Sequence, residues 1–258
     1  MSPPLTCPSN PDETYDLRLL ERSHAKWKRS AALRAYYESV YRQMAAFAAP
    51  GPALEVGSGC GFIRDFIPEV VTTDVCATRF VPRAASAYAL EAVAGGPWST
   101  IYLLDVLHHL REPMRFFDSA ARALRAGGRI VLMEPAATAL GRLFYRMFHH
   151  EPIDPAGVGQ PYIFGGSESS PEFANMGIGW AMFGRDREHV QQMLSRIGLA
   201  LLTVRFRDLV SYPVTGGFSG PALLPATCVR ALGGFEARLP SWLLAKTALR
   251  MLIVVERP

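Results

Sequence analysis

The chain has 258 residues, a formal net charge of +4 at pH 7, 49% hydrophobic residues and 19% charged residues. This composition excludes a disordered chain, and the length favours one α/β domain with an insertion over two domains. The basic residues are dispersed apart from one group in the leading segment, which we interpret as a solvated helix face, so we expect no nucleic-acid partner.

The first 49 residues predict a leader followed by a helical cap. Residues 14–48 place leucines and aromatic side chains at helical spacing, and Pro50, Gly51 and Pro52 end this region. We therefore place a boundary there and assign residues 50–258 to the main domain. The proline-rich leader does not resemble a signal peptide, and no apolar run is long enough to span a bilayer. Contact with an anionic membrane surface remains open.

The cysteines indicate a reducing compartment. Cys7, Cys60, Cys76 and Cys228 show neither paired metal-ligand spacing nor the density of a disulfide scaffold. We predict four reduced thiols in a cytoplasmic protein.

A glycine-rich turn is the most specific motif of the chain. Residues 53–56 form an apolar run that contains Glu55 and leads into Gly57, Gly59 and Gly61. Glycine tolerates positive φ and lets a ligand approach the backbone, and a strand, turn and helix in succession direct backbone N–H groups at one spot. Residues 70–74 predict a second strand that ends in Asp74, whose carboxylate can accept hydrogen bonds from a ribose diol. The motif predicts a nucleotide-like cofactor.

Strands and helices alternate from residue 53 to residue 136, which implies a parallel sheet. Residues 101–104 predict a strand that precedes Asp105, residues 116–126 a helix, and residues 129–135 a strand that ends near Glu134. Ligands of such sheets bind beyond the carboxyl ends of the strands, at the point where the strand order reverses. We therefore expect Gly57 and Asp105 to face each other across the cofactor.

These segments together resemble the class I S-adenosylmethionine-dependent methyltransferases, whose first motif is similar to residues 55–61. The resemblance implies a Rossmann-like α/β fold, with a seven-stranded, mostly parallel sheet, helices on both faces and an antiparallel hairpin of the last two strands. It also implies S-adenosyl-L-methionine as the cofactor. The residues expected to bind the cofactor are Glu55, Gly57, Ser58, Gly59, Gly61, Asp74, Val75, Ser86, Ala87, Asp105 and Val106. Ser86 stands where many relatives carry an acid that contacts the adenine amino group.

Two aromatic-rich excursions interrupt the later part of the chain. The first, over about residues 137–184, follows the fifth strand of the resembled fold and predicts a lid, and the second covers about residues 208–247. A helix over residues 185–197 and a strand over residues 199–206 separate them, and residues 251–256 predict the last strand. We expect Tyr145 and His108 to contact the substrate. Glu134 should face the rim of the pocket, where it either contacts the substrate or caps a helix.

Histidines supply the candidate bases. A sulfonium methyl is already activated, so a base is needed only when the acceptor is protonated, as a hydroxyl is. We name His150, His149 and His109 as candidates, with Glu151 orienting the first two. A role in shaping the cofactor pocket is the alternative for His108 and His109. A metal site from His149, His150, Glu151, Glu134 and Asp154 is the other alternative, but adjacent side chains rarely converge on one ion, so we expect no metal.

The sequence therefore predicts an S-adenosylmethionine-dependent methyltransferase that acts on a hydrophobic or amphipathic small molecule of specialised metabolism. O-methylation is favoured because histidine bases are present. One alternative is an enzyme of this fold that uses the cofactor for cyclisation or rearrangement, and another is a non-catalytic methyltransferase-like subunit. We expect a monomer or a homodimer.

Overall fold

The architecture rests on one mixed sheet, seen in a computed structural model that describes residues 17–165 and 173–258. Within these residues the sheet has six strands in the order β2-β1-β3-β4-β6-β5. The strands are β1 Ala53–Val56, β2 Val71–Thr73, β3 Trp98–Leu104, β4 Leu124–Pro135, β5 Ala200–Arg207 and β6 Arg250–Arg257. The first four are parallel, and β6 runs antiparallel between β4 and β5. The predicted α/β fold class and the antiparallel end of the sheet are confirmed.

The expected seventh strand is not found in the described ranges. Beyond β2 the sheet has only an isolated parallel bridge between Asp74 and Ala84, and a short 3₁₀ helix, Leu90–Ala92, leads back to β3. The segment between β2 and β3 is rich in alanine, proline and glycine, which are poor strand formers. The edge of the sheet at the candidate cofactor site is therefore formed by β2.

The leading segment folds into two helices instead of one. Helices α1 (Leu17–Arg29) and α2 (Ala31–Ala45) meet at Ser30, whose hydroxyl accepts a hydrogen bond from the Leu33 N–H at 3.2 Å and caps α2. Eight residues of α2 are buried, against one of α1, so α2 is the helix anchored on the sheet. None of the helices in the described part of the chain is both long enough and apolar enough to cross a membrane.

Helices cover both faces of the sheet because alternate strand residues point to opposite sides. Tyr102, Val131 and Leu252 pack on the face that α2 and α7 (Ala226–Glu236) cover. Ile101, Leu132 and Ile253 pack on the other face, under α3 (Pro113–Ala123) and α6 (Arg187–Arg196). The remaining helices are α4 (Ala139–Phe148), α5 (Ile178–Trp180) and α8 (Ser241–Thr247).

Two local expectations are corrected. The glycine turn after β1 leads into a single 3₁₀ turn, Phe62–Asp65, and not into an α-helix, so any convergence of N–H groups depends on the turn alone. Cys60 and Cys228 are free thiols, but Cys76 is disulfide-bonded, so the prediction of a reduced thiol is wrong at that position. Cys7 lies outside the described residues.

Candidate active site

The glycine turn is packed too tightly for side chains. Gly57 has φ +68°, and a Cβ at this position would lie 2.6 Å from Cγ2 of Val106, in the loop after β3. Gly59 and Gly61 also have positive φ, a region that L residues with a Cβ rarely occupy. Val106, the residue after Asp105, therefore packs directly against the turn at Gly57.

Asp74 fixes the conformation of this turn. Its carboxylate accepts hydrogen bonds from the backbone N–H of Gly59 and of Val75, each at 2.7 Å, and the residue is buried. Ser58 N–H donates to the carbonyl of Thr73 at 2.9 Å, so the ends of β1 and β2 are tied together. A carboxylate oxygen can accept two hydrogen bonds, which leaves Asp74 able to contact a ribose as well.

Ser86 and Ala87 belong to the loop that follows β2, whose start is held against Asp74. The carbonyl of Asp74 accepts a hydrogen bond from the Ala85 N–H at 2.8 Å, which holds the start of this loop against β2. The Ser86 hydroxyl accepts a hydrogen bond from the Tyr88 N–H at 3.2 Å. The side chain of Val75, next to Asp74 in the chain, is exposed.

Helix α1 covers the outer side of the turn. The Cys60 thiol donates to the carbonyl of Leu20 at 3.3 Å, and the Leu20 side chain lies 3.7 Å from the place of a Gly59 Cβ. A cavity of about 490 Å³ borders Cys60 and Gly61, between α1 and the turn. The leading helix thus contacts the cofactor motif directly.

Glu55 offers a test of whether the site fits S-adenosylmethionine. The residue is buried, and its Oε2 has no hydrogen-bond partner among the described residues. Burial raises the pKa of this carboxyl to about 8. An unsatisfied buried carboxylate is costly, and a cation such as the amino group of the cofactor's methionine part would satisfy it. The donor set of the site therefore fits the cofactor.

This pKa leads to a testable pH dependence. A cationic ligand binds best to ionised Glu55, so protons compete with it, and we expect cofactor affinity to rise about tenfold per pH unit between about pH 6 and pH 7.5. Titration calorimetry at several pH values measures the slope. In Glu55→Gln the slope should disappear, while the exposed Glu69→Gln should retain it. A slope that persists in Glu55→Gln would assign it to another group.

Asp105 points toward β6, the last strand in chain order, and forms an ion pair with its first residue. It has φ 57°, and its Oδ2 accepts a hydrogen bond from Nη2 of Arg250, the first residue of β6. Arg250 is only 3% exposed, and its Nε and Nη1 have no hydrogen-bond partner in the described chain. Arg250 was not predicted as a functional residue from the sequence, although a single cation at the start of an apolar strand was a usable signal.

Aromatic side chains from three segments surround Arg250. Its guanidinium lies 5.4 Å from the ring centroid of Tyr212, which packs on Tyr36 of α2 with centroids 5.2 Å apart. The hydroxyl of Tyr36 donates to Asp208 at 2.6 Å, and that of Tyr145 donates to the carbonyl of Leu249 at 2.7 Å. Tyr145 is thus buried, and its hydroxyl is already paired with the backbone.

Glu134 does not lie at the rim of the pocket, which corrects the expectation from its place at the end of a strand. It is fully buried, and its Oε1 accepts hydrogen bonds from the N–H groups of Val106 and Leu107 at 2.9 and 2.7 Å. Its Oε2 lies 2.7 Å from Nδ1 of His108. The carboxylate therefore holds the loop after β3 in place.

The two histidine pairs, which lie far apart in sequence, converge on Glu151. Its carboxylate oxygens lie 3.4 Å from His108 Nε2, 3.7 Å from His109 Nε2, 3.8 Å from His149 Nδ1 and 3.9 Å from His150 Nε2. Burial opposes the charge of Glu151, but His108, His109 and His149 outweigh it and lower its pKa to about 2. Asp154 lies apart, with a carboxylate that accepts the N–H groups of Ala156 and Gly157.

The histidines of this cluster differ in the direction in which their pKa is shifted. Burial lowers the pKa of His108, but Glu134 and Glu151 outweigh this effect and raise it to about 10. Burial also lowers the pKa of His109 and that of His149, with the neighbouring histidine acting in the same direction. His109 and His149 are therefore neutral at neutral pH, whereas His108 is held between two carboxylates.

The chain is similar to known methyltransferases. The profile of a methyltransferase domain family matches residues 28–203. A SAM-dependent methyltransferase from Thermotoga maritima, described as a possible histamine N-methyltransferase, has 12% identity and a TM-score of 0.52, with 93% of this chain and 99% of that chain covered. A SAM-dependent methyltransferase from Archaeoglobus fulgidus has 11% identity and a TM-score of 0.48, with 85% and 92% covered.

A glycopeptide N-methyltransferase, MtfA, solved with S-adenosylmethionine, has 13% identity and a TM-score of 0.44, with 86% of this chain and 87% of that chain covered. No curated protein sequence matches the chain significantly. At such identities a structural likeness establishes the fold alone.

Proposed function

The chain belongs to the family of methyltransferase domains and takes S-adenosyl-L-methionine as its cofactor, and from this premise we propose that it methylates a hydroxyl group of a hydrophobic or amphipathic small molecule. The observation that carries the proposal is the convergence of four imidazoles on Glu151. The cofactor supplies an activated methyl group. The protein must position the acceptor and remove its proton, and imidazoles beside a carboxylate suit that task.

Residues of the carboxyl edge would hold the cofactor. Glu55 would pair with its amino group, and Asp74 would accept hydrogen bonds from its ribose while keeping the glycine turn closed. The rest of the proposed contact set comprises Gly57, Ser58, Gly59, Gly61, Val75, Ser86, Ala87, Asp105 and Val106. Ser86 would replace a charged partner of the adenine by a neutral one, which weakens that contact.

The exposed apolar residues of α4, the helix that ends just before His149, support a hydrophobic acceptor. Leu140, Leu143, Met147 and Phe148 are exposed on α4, which also contributes the buried Tyr145. Exposed apolar surface of this extent marks a ligand or partner site more often than a solvated helix face. An acceptor with an apolar body would cover this surface and present its hydroxyl toward Glu151.

We assign the base to His150. Its side chain is 78% exposed, so packing does not explain it, and its ring is stacked on that of His149 with centroids 4.8 Å apart. Nε2 lies on the side of Glu151, which would stabilise the imidazolium formed when His150 takes the acceptor proton. His149 and His109, both neutral at neutral pH, are the other candidates.

Removal of the base should slow turnover without weakening the binding of the cofactor. We expect His150→Ala to lower kcat about 10²-fold, the lower range for a general base, and to leave the dissociation constant of S-adenosylmethionine unchanged. Formation of S-adenosylhomocysteine measures turnover. His189→Ala on α6 is the matched control and should retain full activity. Full activity of His150→Ala would remove this residue from the mechanism.

A panel of phenols, hydroxylated polyketides, hydroxylated terpenoids and matching amines tests the reaction type. We expect a product that gains one CH₂ from a hydroxylated member, together with an equivalent of S-adenosylhomocysteine. An isomeric product without S-adenosylhomocysteine would favour cyclisation or rearrangement instead. Methylation of the amines alone would overturn the assignment of oxygen as the acceptor, and no binding of S-adenosylmethionine would favour a non-catalytic subunit.

A further inference from the structure

Two imidazoles of the cluster direct their Nε2 atoms at one carboxylate, and we propose that His108, His109 and Glu151 bind a divalent metal ion. The ligand atoms of these three residues lie within 4.8 Å of one another. This inference goes beyond the proposed function and does not depend on it, because metal binding can be measured without a methyl acceptor.

The partners of the Nδ1 atoms place a proton on Nδ1 of both rings. His108 Nδ1 lies 2.7 Å from Glu134 Oε2, and His109 Nδ1 lies 3.2 Å from the carbonyl oxygen of Phe173. A carbonyl can only accept, and Glu134 already accepts two N–H groups on its other oxygen. Nε2 is therefore the ring nitrogen of each histidine that can bind a metal ion.

Both Nε2 atoms face the carboxylate of Glu151. His108 Nε2 and His109 Nε2 lie 3.4 and 3.7 Å from its oxygens. Without a metal ion the Nε2 proton of His108 pairs with this carboxylate, and a metal ion would replace that proton. A single ion would then bind both nitrogens and the carboxylate.

The hydrogen-bond partners of the two histidines are those usually found around histidine ligands of a metal ion. A histidine ligand usually donates its other N–H to a carboxylate or to a backbone carbonyl, which orients the ring. His108 has the first kind of partner and His109 the second. Glu134 is in turn held by the loop after β3, so the support extends into the buried core.

The donor set indicates the kind of ion. Imidazole nitrogens suit zinc, iron, copper and nickel, whereas the carboxylate also suits manganese and magnesium. Two nitrogens and one carboxylate are also a ligand set of catalytic zinc sites, in which a further position is left open for water or substrate. We therefore assign the site to a divalent first-row transition metal, with zinc as the probe. The hydroxyl of an acceptor near Glu151 could occupy the open position.

This ligand set differs from the metal alternative weighed from the sequence. That alternative combined His149, His150 and Glu151 with Glu134 and Asp154. Glu134 supports His108 instead of pointing at an ion, and Asp154 caps its own turn. Glu151 is the only ligand that the two sets share.

Titration of the whole protein with zinc chloride, after removal of metal by a chelator, tests the site. We expect roughly one equivalent to bind by calorimetry, and we expect His109→Ala and Glu151→Gln each to weaken binding at least about tenfold. His189→Ala and Asp154→Asn are the controls and should bind zinc as the unaltered protein does. Circular dichroism verifies that the variants are folded, and the partly exposed His109 provides the variant least expected to perturb folding.

The other possible results of this titration would contradict the proposed metal site. Absence of stoichiometric binding, or equal affinity in folded His109→Ala, would overturn the site. Loss of zinc binding in Asp154→Asn with retention in His109→Ala would favour the alternative set. Binding of S-adenosylmethionine is measured on the same metal-free samples. A failure of metal binding is therefore distinguishable from a failure of the proposed methyltransferase activity.

Discussion

Asp74→Ala should weaken the binding of S-adenosylmethionine by about 10²- to 10⁴-fold. The carboxylate accepts two hydrogen bonds from the turn, from Gly59 and from Val75, and bonds to a charged group are worth about 1.5–3 kcal/mol each. Loss of both, at about 1.4 kcal/mol for each tenfold change, gives this range if the turn opens in the variant. A lost contact to the ribose would add to it.

Calorimetric titration of the folded variants with S-adenosylmethionine measures this effect. Asp118→Ala is the matched control, because Asp118 is an aspartate on the outer side of α3 that pairs with the exposed Arg122. Asp74→Asn, which retains a side-chain acceptor without the charge, should fall between the two. An unchanged dissociation constant in folded Asp74→Ala would refute the assigned cofactor site.

Asp105→Asn should lower the free energy of unfolding by about 3 kcal/mol, the lower range for breaking a buried ion pair. Arg250 is buried and Asp105 is its ion-pair partner, so the substitution leaves a guanidinium without that carboxylate. Asparagine tolerates the left-handed backbone conformation of this position, so strain does not contribute to the loss. The side chain of Asp105 is 30% exposed, which is why the lower range is expected.

A double-mutant cycle separates the interaction energy of the ion pair from the other effects of each substitution. In Asp105→Asn combined with Arg250→Met the uncompensated charge is gone, and most of the lost stability should return. Asp118→Asn on α3 breaks an exposed pair and should cost less than about 1 kcal/mol. Urea denaturation measures five proteins: the unaltered chain, Asp105→Asn, Arg250→Met, their combination and Asp118→Asn. A loss in Asp105→Asn no greater than in Asp118→Asn would show that this pair does not stabilise the fold.

This ion pair also connects the proposed cofactor site to the end of the chain. Asp105 follows β3, where we propose that it contacts the cofactor, and Arg250 begins β6, which pairs with both β4 and β5. A substitution at Arg250 should therefore affect cofactor binding as well as stability, although Arg250 lies outside the proposed contact set.

The sequence by itself determined the elements that depend on local pattern. β1, β3, β4 and β6 are apolar runs between chain breakers, and each was placed correctly except near its ends. The same holds for the glycine turn, because positive φ is a property of single residues, and Gly57, Gly59 and Gly61 all have it. The place of Asp74 beside the turn was predicted for a similar reason, since an acid at the end of a short strand lies in a fixed place relative to the turn.

Only the tertiary structure decided which distant groups meet. His108 and His109 follow β3, whereas His149, His150 and Glu151 follow α4, and the path of β4 between them brings both groups to one carboxylate. The burial of Glu134, the pairing of Asp105 with Arg250 and the disulfide of Cys76 are also products of packing. The local periodicity of apolar residues indicates which side of a strand or helix is buried. Electrostatic and hydrogen-bond partners depend on the three-dimensional course of the chain, which no short stretch of sequence encodes.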